Sequence, residues 1–281
     1  MARIIGGVGT THVPSIGNAI AKGLQNAPYW KPFFDMFPPV RQWLERDRPD
    51  VVVLIYNDHG LNFFLDKMPT FAVGAATEYR NADEGWGLPL VRPFQGDPAM
   101  SWHLIESLVA DEFDIVTCQE MLVDHAFVVP MQLVWPGDKA WPVRVIPISI
   151  NTVQHPLPSA ARCLKFGQAI GRAIRSYEKD LNVLVMGTGG LSHQLDGTRA
   201  GFINKAFDQL CLDKLVRQPG ALTGYSNHEL VELSGSQGIE VLNWLAMRGA
   251  LGDAVETIYS NYHIPISNTA SAVLALESKA A

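Results

Sequence analysis

The sequence predicts an α/β chain: a single-domain sandwich with a central mixed sheet flanked by helices and an active site at the carboxyl ends of the strands. Three observations predict it. Short Val- and Ile-rich runs alternate with longer helix-like segments. No interior linker, repeat or low-complexity tract divides the chain, so residues 1–281 read as one domain. Apolar residues make up 47% against 18% charged, enough to bury a large core without disulfides or a structural metal.

In chain order, residues 3–8, 51–56, 143–148 and 182–186 are apolar runs that read as buried strands, with 114–118 a weaker candidate. Residues 40–46, 98–111, 159–179, 198–217, 228–233 and 237–251 read as helices between and after them. The Pro- and Gly-rich loops at 28–39 and 83–98 are long for a compact domain, and such loops usually serve or cover a site.

Composition excludes several classes. The charge sum of 22 − 28 = −6 gives no electrostatic case for nucleic acid. Cys118, Cys163 and Cys211 are odd in number and form no CxxC, which fits a reduced, cytoplasmic protein. No basic region leads an apolar run at the N-terminus, and no stretch nears ~20 continuous apolar residues, so neither a signal peptide nor a membrane span is expected. Gly187-Thr188-Gly189-Gly190 follows a strand but is not GxGxxG, because Ser192 stands at the last position, and no Lys-Ser/Thr ends it. Ser234-Gly235-Ser236-Gln237-Gly238 lacks the first glycine of a nucleophile elbow, and a helix rather than a strand precedes it.

The histidines are the informative residues. His12 follows the first strand, His59 the second, His193 the strand ending near 186, and His125 the weaker strand. Open α/β sheets bind ligands outside the carboxyl ends of their strands, so four histidines there converge on one rim. Any one alone would read as a surface or hydrogen-bonded core histidine. His103, His155 and His228 keep that reading, and His263 is intermediate. A carboxylate joins the set. Residues 239–247 are apolar on nearly all sides, the mark of a buried helix, yet Glu240 lies in its first turn on the face of Trp244 and Met247. A buried carboxylate needs a partner, a metal or the helix N-terminus. Two histidines and a carboxylate suit a non-haem Fe(II) oxygenase; zinc in a hydrolytic site accepts the same donors.

At these residues the chain resembles the type II extradiol ring-cleavage dioxygenases. The resemblance rests on Thr11-His12-Val13-Pro14, Tyr56-Asn57-Asp58-His59, Ala82-Asp83-Glu84-Gly85-Trp86-Gly87 and Val123-Asp124-His125. It continues through the run from Gly187 to Leu195, Arg199-Ala200-Gly201, Ser234-Gly235-Ser236, the run from Met247 to Leu251, Tyr262-His263-Ile264-Pro265 and Ser267-Asn268-Thr269-Ala270. It implies Fe(II) on His12, His59 and Glu240, a catalytic base at His193 and a second active-site histidine at His125. Ser267, Asn268 and Thr269 match the segment around the substrate carboxylate. The implied substrates are O₂ and a carboxylated catechol, protocatechuate first and gallate next. A 2-aminophenol-type substrate is the alternative within the superfamily, and a non-catalytic metal-binding module the alternative outside it. The resemblance also implies an α₂β₂ assembly with a second copy of the chain and a small α subunit, since no ~100-residue extension is present to serve as a built-in cover. Arg199 and Arg248 are the basic residues within the motifs, and Arg248 suits a structural role equally well.

Overall fold

The computed structural model describes residues 1–85, 87–137 and 139–279, with the side chains of 265 and 266 left out. Trp86 of the 82–87 motif therefore lies outside the described residues, as does the side chain of Pro265 in the 262–265 motif. Val-rich runs buried on both faces form the central strands. In chain order the elements are β1 (Arg3–Thr10), α1 (Pro14–Ala21), α2 (Lys31–Phe34), α3 (Pro38–Asp47), β2 (Val51–Tyr56), β3 (Phe71–Gly74), β4 (Glu78–Asn81) and β5 (Phe94–Gln95). Next come α4 (Pro98–Ala110), β6 (Val116–Cys118), β7 (Leu122–Val123), α5 (His125–Val134), β8 (Arg144–Ile150), α6 (Ala160–Ser176) and β9 (Asn182–Thr188). The chain ends with α7 (Lys205–Arg217), α8 (Asn227–Ser234), α9 (Val241–Ala250), β10 (Val255–Ile266) and β11 (Thr269–Ser278).

The main sheet runs β10-β11-β1-β9-β2-β8-β3-β6. Its centre is parallel, β1 on β9, β9 on β2 and β2 on β8, while β11 joins β1 and β3 joins β8 antiparallel. The expected mixed sheet is thus found. Alternation along each strand sorts side chains between two cores: Val51, Val53 and Ile55 face α4, α6 and α9, while Val52, Leu54 and Tyr56 face α1, α3 and α5. Because β1, β9 and β2 are parallel neighbours, their carboxyl ends open at one edge. Helix α9 lies close against that edge. A Cβ on Gly9 would meet the Trp244 ring at 2.3 Å, and one on Gly187 the Asn243 carbonyl at 2.6 Å. Glycine at these positions lets α9 sit against the sheet with its N-terminus over the strand ends. No helix among the described residues is long and apolar enough to cross a membrane.

The expected strands are present, the weaker one shortened to β6. Several expectations shift. The helix expected over 198–217 starts only at Lys205, where Asn204 caps it by accepting from the Phe207 N–H; a 3₁₀ turn, Gly197–Arg199, precedes it. The helix expected over 237–251 divides into a 3₁₀ turn, Gly238–Glu240, and α9. The 28–39 loop holds α2 and the start of α3, and the 83–98 loop holds β5. The hairpin β10–β11 went unread. Its turn at Ser267 and Asn268 has φ of 50° and 63°, and β11 is built mostly of Ala, Ser and Leu rather than β-branched residues. Helix α5 also went unread, because it carries Pro130 and is buried on every side.

Candidate metal centre and active site

His12 follows β1 by two residues and His59 follows β2 by three, so parallel strands deliver both rings to one place; their centroids are 5.2 Å apart. Glu240 enters from the opposite side as the N-cap residue of α9. Its Oε2 lies 3.6 Å from His12 Nε2 and its Oε1 3.4 Å from His59 Nε2. His193, in the loop after β9, brings Nε2 to 3.9 Å from the same Oε2. His125 completes the group, its ring stacked on His59 at 4.3 Å and 5.5 Å from His12. Its route differs from the expected one: it follows the two-residue β7 and opens α5, rather than standing at a strand end of the main sheet. The five residues nonetheless converge. His12, His125, His193 and Glu240 are buried, while the His59 side chain is 29% exposed.

The hydrogen bonds fix which ring nitrogens are free. His12 Nδ1 meets Thr188 Oγ1 at 3.1 Å; that hydroxyl already donates to the Ala126 carbonyl, so it accepts from the imidazole. His59 Nδ1 donates to Asp124 Oδ2, His125 Nδ1 to Glu84 Oε1, and His193 Nδ1 to the Leu191 carbonyl. With Nδ1 engaged in each case, Nε2 is the ring nitrogen left on the side of the common centre, where His59 Nε2 also lies 3.1 Å from Asn57 Nδ2. Carboxylate and carbonyl partners on the far nitrogen are what metal-binding histidines ordinarily have. The carboxylate is held too: Asn57 Nδ2 donates to Glu240 Oε1 at 3.0 Å, and the Gly190 N–H to Oε2 at 2.8 Å.

The donor set fits a divalent metal ion. Ligand bonds of about 2.1 Å place adjacent ligands of an octahedral ion about 3 Å apart, near the separations from Glu240 to His12 and His59. His12, His59 and His125 also offer ligand atoms within 4.8 Å of one another, as do Glu84, Asp124 and His125. Burial depresses His12 even against the pull of Glu240. Burial alone would also depress His59, but Asp124 and then Glu240 outweigh it and push it up to about 10. Burial disfavours the Glu240 charge, yet His12, His59 and His193 hold it well below the usual carboxylate range. Asp124, opposed by burial and favoured by His59, falls to about 2.

A pH dependence follows. A raised His59 pKa stabilises the metal-free fold fully below 6.5, and that contribution is lost as pH rises through about 10. Metal needs the neutral ring, so loading displaces a proton. Affinity is expected to rise by up to about tenfold per pH unit from 6.5 toward about 10. Calorimetric titration in buffers of differing ionisation heat reads the proton directly; an affinity flat with pH, with no proton released, would refute it.

The remaining expected residues fall into place unevenly. Ser267 and Asn268 are exposed at the tip of the β10–β11 hairpin, and the Ser267 N–H donates to the Tyr29 hydroxyl. Thr269 is buried and bridges to His193. Behind His193, buried Asp208 accepts from the Ser192 N–H, the Ser192 hydroxyl and the Tyr262 hydroxyl. Ser234 accepts the His193 N–H through its carbonyl, so the would-be elbow clamps the base loop. Arg248 is structural: buried, it donates to the carbonyls of Leu215, Gly252 and Asp253. Arg199 is tied to Glu232. A cleft of about 700 Å³ lies elsewhere, lined by residues such as Ile20, Arg41, Gln132 and Trp141 and by none of the five converging residues. Sequence reading passed over Thr188, Asn57, Asp124 and Glu84 as site residues, although each stands in a quoted motif or beside a singled-out histidine.

Residues 6–273 match the family model described as the catalytic LigB subunit of aromatic ring-opening dioxygenase. The chain belongs to this family. Among LigB relatives, it is 43% identical over 198 residues to gallate dioxygenase of Pseudomonas putida, covering 70% of this chain and 58% of that one. It is 29% identical over 261 residues to 2,3-dihydroxyphenylpropionate/2,3-dihydroxicinnamic acid 1,2-dioxygenase 2 of Dechloromonas aromatica, covering 75% and 78%. The chain thus spans little more than half the length of the gallate dioxygenase. The fold is shared with an uncharacterized Escherichia coli K12 protein at a TM-score of 0.61 and 13% identity, over 96% of this chain and 99% of that one.

Proposed function

We propose that the chain is a non-haem Fe(II) extradiol dioxygenase that adds both atoms of O₂ to a carboxylated catechol. The observation that carries this reading is the Glu240 carboxylate facing the Nε2 atoms of both His12 and His59, with His193 against the oxygen that faces His12. These two histidines and Glu240 would hold the iron. Bound Fe(II) would acidify a catechol hydroxyl and join ring and oxygen electronically. His193 would accept the hydroxyl proton at Nε2, its ring oriented by the Leu191 carbonyl. His125 would accept a hydrogen bond from the second hydroxyl. Ser267, Asn268 and Thr269 are proposed to lie toward the substrate carboxylate; with a net charge of −6, binding an anion must rely on such local groups.

Within this class the relatives favour gallate over the protocatechuate expected from the sequence, because the 43% match is a gallate dioxygenase. A 2-aminophenol-type substrate has no such support. A small α subunit and a second copy of the chain remain proposals, as does a cytoplasmic location. A second reading takes His125 as third ligand in place of Glu240, on the mutual approach of His12, His59 and His125. Anaerobic Fe(II) loading, then gallate, protocatechuate and 2-aminophenol in turn, then air, tests the function. O₂ uptake with loss of the aromatic absorbance is expected, faster with gallate, and with a yellow semialdehyde product from protocatechuate; no uptake with any of the three would overturn it.

A further inference from the structure

We propose that Glu84 is a positioning residue for His125, holding its ring so that Nε2 faces the substrate space. The inference rests on the ring-cleavage reading of the site and adds to it a residue outside the ligand set proposed there. Glu84 grips His125 twice: Oε2 accepts the backbone N–H at 2.7 Å and Oε1 the ring Nδ1–H at 2.8 Å. Asp124 holds the neighbouring His59 in the same manner, accepting its backbone N–H and its Nδ1–H through Oδ2, each at 2.9 Å. One carboxylate on two donors of a single histidine fixes both the ring's tautomer and its orientation.

The second sheet explains how a residue 41 positions away reaches His125. Strands β4 and β7 pair in parallel with Asn81 opposite Val123, so the chain leaves both strands in the same direction. The Ala82 N–H then bonds the Val123 carbonyl, keeping the two exits together. Glu84 stands three residues beyond one exit and His125 two beyond the other. The loop is tied at its far side, where the Val91 N–H and the Pro89 carbonyl both bond Asn81. Helix capping accounts for the backbone bond alone, since the His125 N–H is the first of α5 and Asp124 takes the Ala126 N–H; the bond to the ring Nδ1–H serves no helix end. Glu84 is 13% exposed, and its carboxylate is spent on His125.

The test is Glu84→Gln, with Glu84→Ala beside it. Glutamine keeps the shape but turns one accepting oxygen into an NH₂ donor and removes the charge, so the two atoms that now each hold an N–H cannot both go on accepting. In metal-free wild type, proton NMR should show a His125 Nδ1–H resonance moved far downfield by the carboxylate, identified by its absence from His125→Asn. In Glu84→Gln that resonance should move upfield or vanish. The iron-loaded variant should lose about 10–100-fold in kcat with KM and iron content unchanged. A resonance unmoved in both variants overturns the proposal. So does kcat at the wild-type level, or a loss of iron that accounts for the loss of rate. Should wild type cleave no catechol, the functional reading falls instead, and the NMR comparison still decides whether Glu84 holds the ring.

Discussion

Replacing Glu240 by Ala is expected to abolish metal retention and turnover together. Among the described residues, this carboxylate is the one anion that faces both His12 and His59 at ligand-like separations, and it is buried. Losing a partner that only orients a ligand typically costs 10–100-fold in metal affinity, so losing a ligand should cost at least about 100-fold. A second effect appears without metal. Asn57 Nδ2 and the Gly190 N–H lose their acceptor in a buried setting, at about 1–3 kcal/mol for each unsatisfied donor, so the melting temperature should fall as well. Glu240→Gln separates the two effects. Its amide oxygen can take one of those donors and recover part of the stability, but it remains a poor ligand. Iron content after anaerobic reconstitution, read with O₂ uptake, checks the prediction. An iron-replete, active Glu240→Ala would transfer the third ligand position to His125.

The parts of this site that could be read in advance share one property: local sequence determines them. His12, His59 and His193 were legible because β1, β2 and β9 are apolar runs with a histidine just past each, and parallel strands end on one side of a sheet. Glu240 was legible as a charge in an apolar segment, though its surroundings were not. It closes a 3₁₀ turn and directs its carboxylate to the histidines, while Trp244 donates its indole N–H to the Gly189 carbonyl. His125 was placed correctly in the cluster by the wrong route, since a two-residue strand such as β7 has no periodicity to detect. The orienting residues were illegible for a different reason. Asp124 acts on a ring 65 positions away, Thr188 on one 176 away, and Asn57 on a carboxylate 183 away. An Asp or Thr in a strand-end loop looks the same whether it caps a turn, as Asp58 does for the N–H groups of Leu61, Asn62 and Phe63, or aims a ligand. Only the crossing connections of the sheet tell the two apart.

His193→Ala should give the opposite signature to Glu240→Ala: iron kept, ring cleavage lost. The imidazole lies outside the ligand set proposed here, 3.9 Å from Glu240 Oε2, so its removal leaves His12, His59 and the carboxylate in place. The loop survives as well, because its anchors are main-chain. The His193 N–H donates to the Ser234 carbonyl and the Gly238 N–H to the His193 carbonyl, while Asp208 holds Ser192 from behind. What disappears is an acceptor. With Nδ1 committed to the Leu191 carbonyl, Nε2 is the ring nitrogen left to take a proton from substrate. A positioned general base typically contributes 10²–10⁴-fold, so kcat should fall by about that factor while substrate still binds. Added imidazole should restore part of the rate if the missing function is proton acceptance and not loop geometry. Wild-type turnover in His193→Ala would remove the base assignment and leave His125 as the proton acceptor of the site.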